Sequence, residues 1–268
     1  ASTLARLRAL QEAELADRVG ALSVPGLATE ADAQCARQRL DEDGILVVPG
    51  FLDANVAERL ASRIDALATG LAARLGDRAW FEDDEVLVQQ ACARLVEYRE
   101  LAEHDRPVMV VRSPQDAGMI DLFNVDDLLG SDGAGLRECF EAPALRALLA
   151  PFAGAVTPRN LNAYVNRGVE ATRGFHVDGW GPRLKAFVYL TDVARLDDGP
   201  YTFVRGTHRD GAWRRANRQL CTDLASRTET PIVPFEAIVP VLGPRGTLVV
   251  SDQSGFHRGL PQGPDAAR

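Results

Sequence analysis

The stretch GFHVDGW, residues 174–180, places two strong metal-ligand side chains, His176 and Asp178, one residue apart. In extended backbone, residues i and i+2 project from the same face, so an imidazole and a carboxylate can aim at one point. Two ligands leave a site weak, and His-x-Asp by itself also arises by chance. A third ligand has to come from elsewhere, and the chain has only four histidines. His104, in the charged run ELAEHDRP, reads as a surface residue. His208, in RGTHR, follows a turn-like Gly-Thr between arginines and stays open as an alternative. His257, after the apolar run GTLVVSD, is better placed on an inner sheet face. His176, Asp178 and His257 would make a two-histidine, one-carboxylate face. That set suits Fe(II), whose vacant positions take a co-substrate and O2. Zinc competes, although the HExxH helix that usually carries a zinc site of two histidines and a carboxylate is absent.

These ligands need a scaffold. The first 75 residues read as helical, with Thr29-Glu-Ala-Asp32 resembling a capping box. ILVVPGF, 45–51, interrupts them as a short strand. Asp53 can cap the next helix, where Val56, Leu60, Ile64, Leu67 and Leu71 mark one apolar face packed on something flat. The acidic run 82–85 reads as a solvated turn, PVMVVR (107–112) as a strand, and GSDGAG (130–135) as a loop. From about residue 155, short strand-like runs alternate with Gly, Pro and Asp, the pattern of a sandwich or barrel. LKAFVYL should be buried on both faces, and DGAWRRANRQLCTDLASR is a helical insertion. One domain over 1–268 is expected, with 1–150 as mainly helical support plus first strands and 155–268 as the β core.

Bulk properties narrow the partners. The net charge of −8 disfavours nucleic acid and anionic membrane surfaces, which need a basic face. No apolar run approaches the roughly 20 residues of a membrane span. The N-terminal stretch lacks a signal-peptide core. The four cysteines form no CxxC pair, so free thiols and a cytoplasmic location are expected.

The run GFHVDGW…LKAFVYLTDVARLDDGPYTFVRGTHR…GTLVVSDQSGFHRG resembles the phytanoyl-CoA dioxygenase family of non-haem Fe(II), 2-oxoglutarate-dependent oxygenases. GILVVPGFLD and the helix after it resemble that family's N-terminal part. The resemblance implies a mostly β protein with a helical N-terminal part (α+β): a double-stranded β-helix (jelly roll, cupin-like) flanked by helices. It implies Fe(II), 2-oxoglutarate and O2, with His176, Asp178 and His257 on the iron. It also implies an arginine for the far carboxylate of 2-oxoglutarate, at Arg268, eleven residues past His257. A buried carboxylate needs such a bidentate, permanently charged partner. Arg258 should point to the opposite face.

The chain departs from the family pattern in two places. Its PGSH motif reads RGTH, with Arg205 at the proline, and Gly259 stands where some relatives place a hydroxyl on 2-oxoglutarate. Another side chain must make that contact: Asn162, Tyr164 and Lys185 are candidates, Lys185 either reaching the cavity or snorkelling at a sheet edge. Arg173, Trp180 and Asn166 are candidates for substrate contact.

A carboxylate at 178 implies C–H oxidation rather than halogenation, because related halogenases have Ala or Gly there. Hydroxylation leads; desaturation, epimerisation and cyclisation use the same ligands. The substrate should be a small molecule, and the protein a monomer or homodimer. The Ala/Arg-rich composition is associated with bacterial natural-product enzymes, and the acidic chain speaks against acyl-CoA. The competing readings are a non-catalytic jelly-roll metal-binding protein and a cupin-like zinc hydrolase.

Overall fold

The computed structural model describes residues 2–268 except 93–94, 98–99, 102–103, 114–115, 154–160 and 224–227. The expected change of character near residue 155 and the end of the helical insertion therefore lie outside the described residues.

Three helices come first: α1 (Thr3–Arg8), α2 (Glu12–Gly20) and α3 (Glu30–Asp43). The capping box at α3 is present, with Thr29 Oγ1 accepting the Asp32 N–H at 3.1 Å. Gly44, at φ 77°, ends α3 in the left-handed region that glycine adopts without strain. Next come β1 (Ile45–Val48) and α4 (Ala54–Leu75), whose first turn is capped by Asp53. The middle of the chain forms β2 (Trp80–Glu82), β3 (Leu87–Gln90), β4 (Val108–Val111), β5 (Met119–Phe123), α5 (Val125–Leu129), α6 (Ser131–Phe140) and α7 (Pro143–Ala153). The remainder forms β6 (Asn162–Asn166), β7 (Leu184–Val188), β8 (Tyr201–Val204), α8 (Ala212–Asp223), β9 (Ile238–Pro240), β10 (Leu248–Asp252) and β11 (His257–Gly259). Helix outweighs strand, 38% against 21%.

The strands make three sheets, ordered β1-β10-β7, β11-β8-β9 and β2-β3-β4-β5-β6. The two three-stranded sheets face each other across a layer that includes Ile45, Val47, Val249, Tyr189, Phe203 and Val241. The alternate residues Leu46, Val48, Leu248 and Val250 pack outward on Ala36 and Leu40 of α3 and Leu145, Leu148 and Leu149 of α7. Burial on both faces explains why β1 and β10 read as unbroken apolar runs. The outer side of β11-β8-β9 is covered by Leu7 of α1 and Leu15 of α2. The result is a double-stranded β-helix sandwich with helices outside.

Three expectations need correction. β7 is half-buried throughout, because it is the edge strand of its sheet and not its centre. GSDGAG is not a loop: it spans the start of α6. A Cβ on Gly133 would lie 2.2 Å from the Asp126 carbonyl, so its glycine allows α5 and α6 to touch. The buried stripe of α4 is Ala57, Leu60, Ile64, Ala68, Leu71 and Leu75, while Val56 and Leu67 sit at its margin. The flat partner is the five-stranded sheet, through Val88, Met109, Leu122 and Ala163. The acidic run does turn: Asp83 Oδ1 accepts the N–H groups of Glu85 and Val86. All four cysteines are free thiols. No described helix is long and apolar enough to cross a membrane.

Candidate metal centre

Backbone pairing builds the centre. His176 N–H donates to His257 O at 3.0 Å, and His257 N–H donates back to His176 O at 2.9 Å. Two residues that exchange both bonds stand directly opposite, with side chains on one face. Their ring centroids are 4.6 Å apart. Asp178 N–H donates to Gln253 O at 3.0 Å, which carries the carboxylate forward on that face. The alternation Phe-His-Val-Asp explains the orientation. Phe175 and Val177 bury outward with Leu7, Leu15 and Phe256, leaving His176 and Asp178 to face the cavity.

Asp178 Oδ1 lies 3.9 Å from His176 Nε2 and 3.6 Å from His257 Nε2. One donor atom from each residue falls within 4.8 Å of the others, and among the described residues no other His, Cys, Asp or Glu group is so arranged. Each ring is locked from behind. His176 Nδ1 is 2.8 Å from Gly174 O, and His257 Nδ1 is 2.9 Å from Gly255 O. A carbonyl only accepts, so each Nδ1 carries the proton and each Nε2 offers its lone pair inward. Burial, and then the proximity of His257, brings the His176 pKa down to about 4, so the ring is neutral at neutral pH. Burial alone would raise Asp178. The hydrogen bond and charge of the His257 ring when it is protonated, with the charges of Lys185 and of a protonated His176, outweigh it and hold the carboxyl at about 2. Two neutral imidazole nitrogens and one carboxylate are the donor set Fe(II) takes with positions left open.

His208 is excluded as third ligand. Its Nε2 meets Asp41 O at 3.0 Å, and its ring fills the space against Gly44. His104 is half-buried rather than exposed, with Nδ1 3.1 Å from Arg106 O.

From the centre, a row of aromatic rings runs to Arg268. Tyr201 is 5.8 Å from the His257 ring, Phe187 is 5.0 Å from Tyr201, and Tyr189 is 5.9 Å from Phe187, centroid to centroid. The Tyr189 hydroxyl donates to Val241 O at 3.0 Å and lies close enough to feel the charge of the Arg268 guanidinium, whose pKa is lowered by burial. Backbone bonds hold Arg268 in place: its N–H donates to Asn166 O at 2.8 Å, and Asn166 N–H donates to Arg268 O at 2.6 Å. Gly259 lies directly opposite Tyr201, and a Cβ there would meet nothing within 4 Å.

The other sequence-selected residues divide. Lys185 points inward, with Nζ 3.5 Å from Tyr164 Oη and its charge felt by Asp178 and Asp121, so it does not snorkel outward. Tyr164 stands opposite Asp121, which Arg112 binds through Nε at 2.9 Å and Nη2 at 2.7 Å. Asn166 is buried beside Arg268. Asn162, in contrast, is exposed and accepts the Asn124 N–H at 3.4 Å. Arg173 is engaged by Glu229 at 2.8 Å and by Thr228 Oγ1 at 2.6 Å. The Trp180 ring lies under the guanidinium groups of Arg214 and Arg218, 5.1 and 5.5 Å away. Arg258 does face away from His257, over Phe175 and on Thr172 Oγ1.

Sequence reasoning missed the buried set Tyr201, Ser251 and Gln253. Tyr201 Oη is 3.0 Å from Ser251 Oγ, and Gln253 Nε2 donates to both oxygens, at 3.1 and 2.8 Å. Burial raises the Tyr201 pKa, so the phenol stays neutral beside His257. The available signal was two polar residues, Ser251 and Gln253, at alternate positions leaving an apolar strand.

Comparison with known proteins agrees with this geometry. The family model for phytanoyl-CoA dioxygenase (PhyH) matches residues 40–268. A search of curated proteins finds no match. Among solved structures, the epimerase SnoN in complex with Fe3+, α-ketoglutarate and nogalamycin RO is similar, at 19% identity and TM-score 0.51, covering 90% of this chain and 81% of that one. AviO1 from Streptomyces viridochromogenes Tue57 gives 19% identity and TM-score 0.51, covering 90% and 93%. SnoK, a non-haem α-ketoglutarate-dependent carbocyclase from nogalamycin biosynthesis, gives 16% identity and TM-score 0.51, covering 88% and 80%. The chain belongs to the phytanoyl-CoA dioxygenase family. It is a 2-oxoglutarate-dependent non-haem iron oxygenase, with iron and 2-oxoglutarate as its cofactor and co-substrate.

Proposed function

We propose that this member of the family oxidises a C–H bond of a small natural-product molecule, with His176, Asp178 and His257 as iron ligands and Arg268 on the far carboxylate of 2-oxoglutarate. The observation that carries the reading is the pair of Nδ1–carbonyl bonds, which turn both Nε2 lone pairs toward an ionised Asp178. Iron bound there with 2-oxoglutarate and O2 supplies the oxidising power for an unactivated C–H bond.

The protein's own contribution is placement. Tyr189 sits beside Arg268, and Phe187 and Tyr201 form a wall of rings between it and the centre. Water is thereby kept from the path of the co-substrate. Lys185 on β7 is four residues before Tyr189, which follows the strand, about 13 Å along extended backbone, so it serves the metal end and not the Arg268 end. Together with Tyr164 it lines the side from which substrate approaches. Neighbouring structures include an epimerase and a carbocyclase, and one holds nogalamycin RO, which supports a tailoring role on a natural product. Hydroxylation is the reaction we assign.

The test is succinate formation from 2-oxoglutarate with Fe(II), ascorbate and O2 over a panel of candidate substrates. Wild type should turn over and Asp178→Ala should not. Products one oxygen heavier support hydroxylation; loss of two hydrogens or an unchanged mass redirects the assignment to desaturation, cyclisation or epimerisation. No turnover and no 2-oxoglutarate binding would overturn the reading.

A further inference from the structure

Helix α8 carries no metal ligand, yet Arg214 reaches from it to the backbone on both sides of the centre. Its Nη1 donates to Ser254 O at 2.6 Å and Thr207 O at 3.1 Å, and its Nη2 donates to Trp180 O. Trp180 follows Asp178 by two residues, and Ser254 precedes His257 by three. Arg214 is buried, and its partners are carbonyl oxygens rather than a carboxylate. Asp252 and Asp210 are near enough for their charges to be felt, but no carboxylate bonds the guanidinium, and burying a cation in this way is expensive where an aliphatic chain would fill the volume at less cost. What the aliphatic chain cannot do is hold three carbonyls at once in the plane of one fork.

The consequences run to the ligands. The Ser254 carbonyl belongs to the peptide that leads into Gly255, and the Gly255 carbonyl receives the His257 Nδ1 proton. Gly255 packs against Phe203 so closely that a Cβ there would lie 2.3 Å from the ring. On the other side, the Trp180 carbonyl anchors the turn that leaves Asp178. A second tie joins the same two loops: Asp252 Oδ1 accepts the N–H groups of Arg183 at 3.1 Å and Ser254 at 2.9 Å. Thr207, whose carbonyl Arg214 also binds, receives the Phe256 N–H on its hydroxyl at 2.8 Å. Arg214 is the tie supplied from outside the sheets.

We propose that Arg214 is a positioning residue of the metal centre. Through the carbonyls of Trp180 and Ser254 it sets the spacing between Asp178 and His257 and keeps the His257 tautomer. This rests on reading His176, Asp178 and His257 as the metal ligands. The experiment is a titration with Co(II) alone, followed by its d–d absorption, on the full chain of wild type, Arg214→Met, Arg214→Lys, His176→Ala and Arg137→Met. Arg214→Met should weaken Co(II) binding about 10- to 100-fold, as loss of an outer partner of a metal ligand does, and should change the absorption pattern. Arg214→Lys keeps a charge but not the fork and should show a smaller loss. Arg137→Met breaks the Arg137–Asp126 pair between α6 and α5; it should lower Tm and leave Co(II) affinity unchanged. Wild-type affinity and spectrum in Arg214→Met overturn the proposal. If that variant does not fold, the same result in Arg214→Lys overturns it. No Co(II) binding by wild type, or undiminished binding by His176→Ala, would instead bring down the metal-site reading beneath it.

Discussion

The two ends of the cavity are built differently. At the metal end, each ligand is set by backbone: the histidines exchange main-chain bonds, and carbonyls fix both tautomers. Away from the ligands, the sequence-selected residues are engaged through their side chains, Arg173 by Glu229 and Trp180 by Arg214 and Arg218. Main-chain bonds fix the ligands directly, whereas the residues held through side chains can lose their partner by a single substitution. The chemistry of the family thus stays in place while the recognised molecule changes.

Substitutions can break or sharpen this contrast. The largest effect is expected at the centre: Asp178→Ala should reduce succinate formation to background and remove tight Co(II) binding, because two histidines alone leave the site weak. Next comes Arg268→Met. A charged hydrogen-bond partner contributes about 1.5–3 kcal/mol, so KM for 2-oxoglutarate should rise about 10- to 150-fold with Co(II) affinity unchanged. Arg268→Lys should fall between the two, since a point charge replaces a fork. At the rim, Arg173→Met removes a half-exposed pair and should lower stability by no more than about 1 kcal/mol in urea melts, with KM for 2-oxoglutarate unchanged. The smallest effect is expected at Asn162→Ala, within about 0.5 kcal/mol of wild type and kinetically silent, because that side chain is exposed and serves Asn124. A large kinetic loss there would instead support Asn162 as the 2-oxoglutarate contact expected from the sequence.

The residues of the centre were legible because metal ligation demands rare side chains. With only four histidines, His-x-Asp and one strand-start His stand out, and both proved to be on one face. The rim was less legible. Asn162, Tyr164 and Asn166 alternate identically on β6, yet one is exposed, one stacks on Lys185 and one is buried beside Arg268. Periodicity assigns a face but not what covers it. The same blindness buried β7 on both faces and put Gly133 in a loop: strand cover and helix contact depend on partners distant in sequence.

By itself the sequence determined the helical front and strand-rich core, the caps at Thr29 and Asp53, and the ligand types at 176, 178 and 257, because propensity, capping and donor chemistry are local properties of a side chain. Only the tertiary structure decided which tautomers the rings hold, and that Tyr201, Ser251, Gln253 and Arg214 surround them. Those outcomes depend on hydrogen bonds between segments that pairing brings together, and a linear pattern carries no record of which carbonyl an N–H will meet.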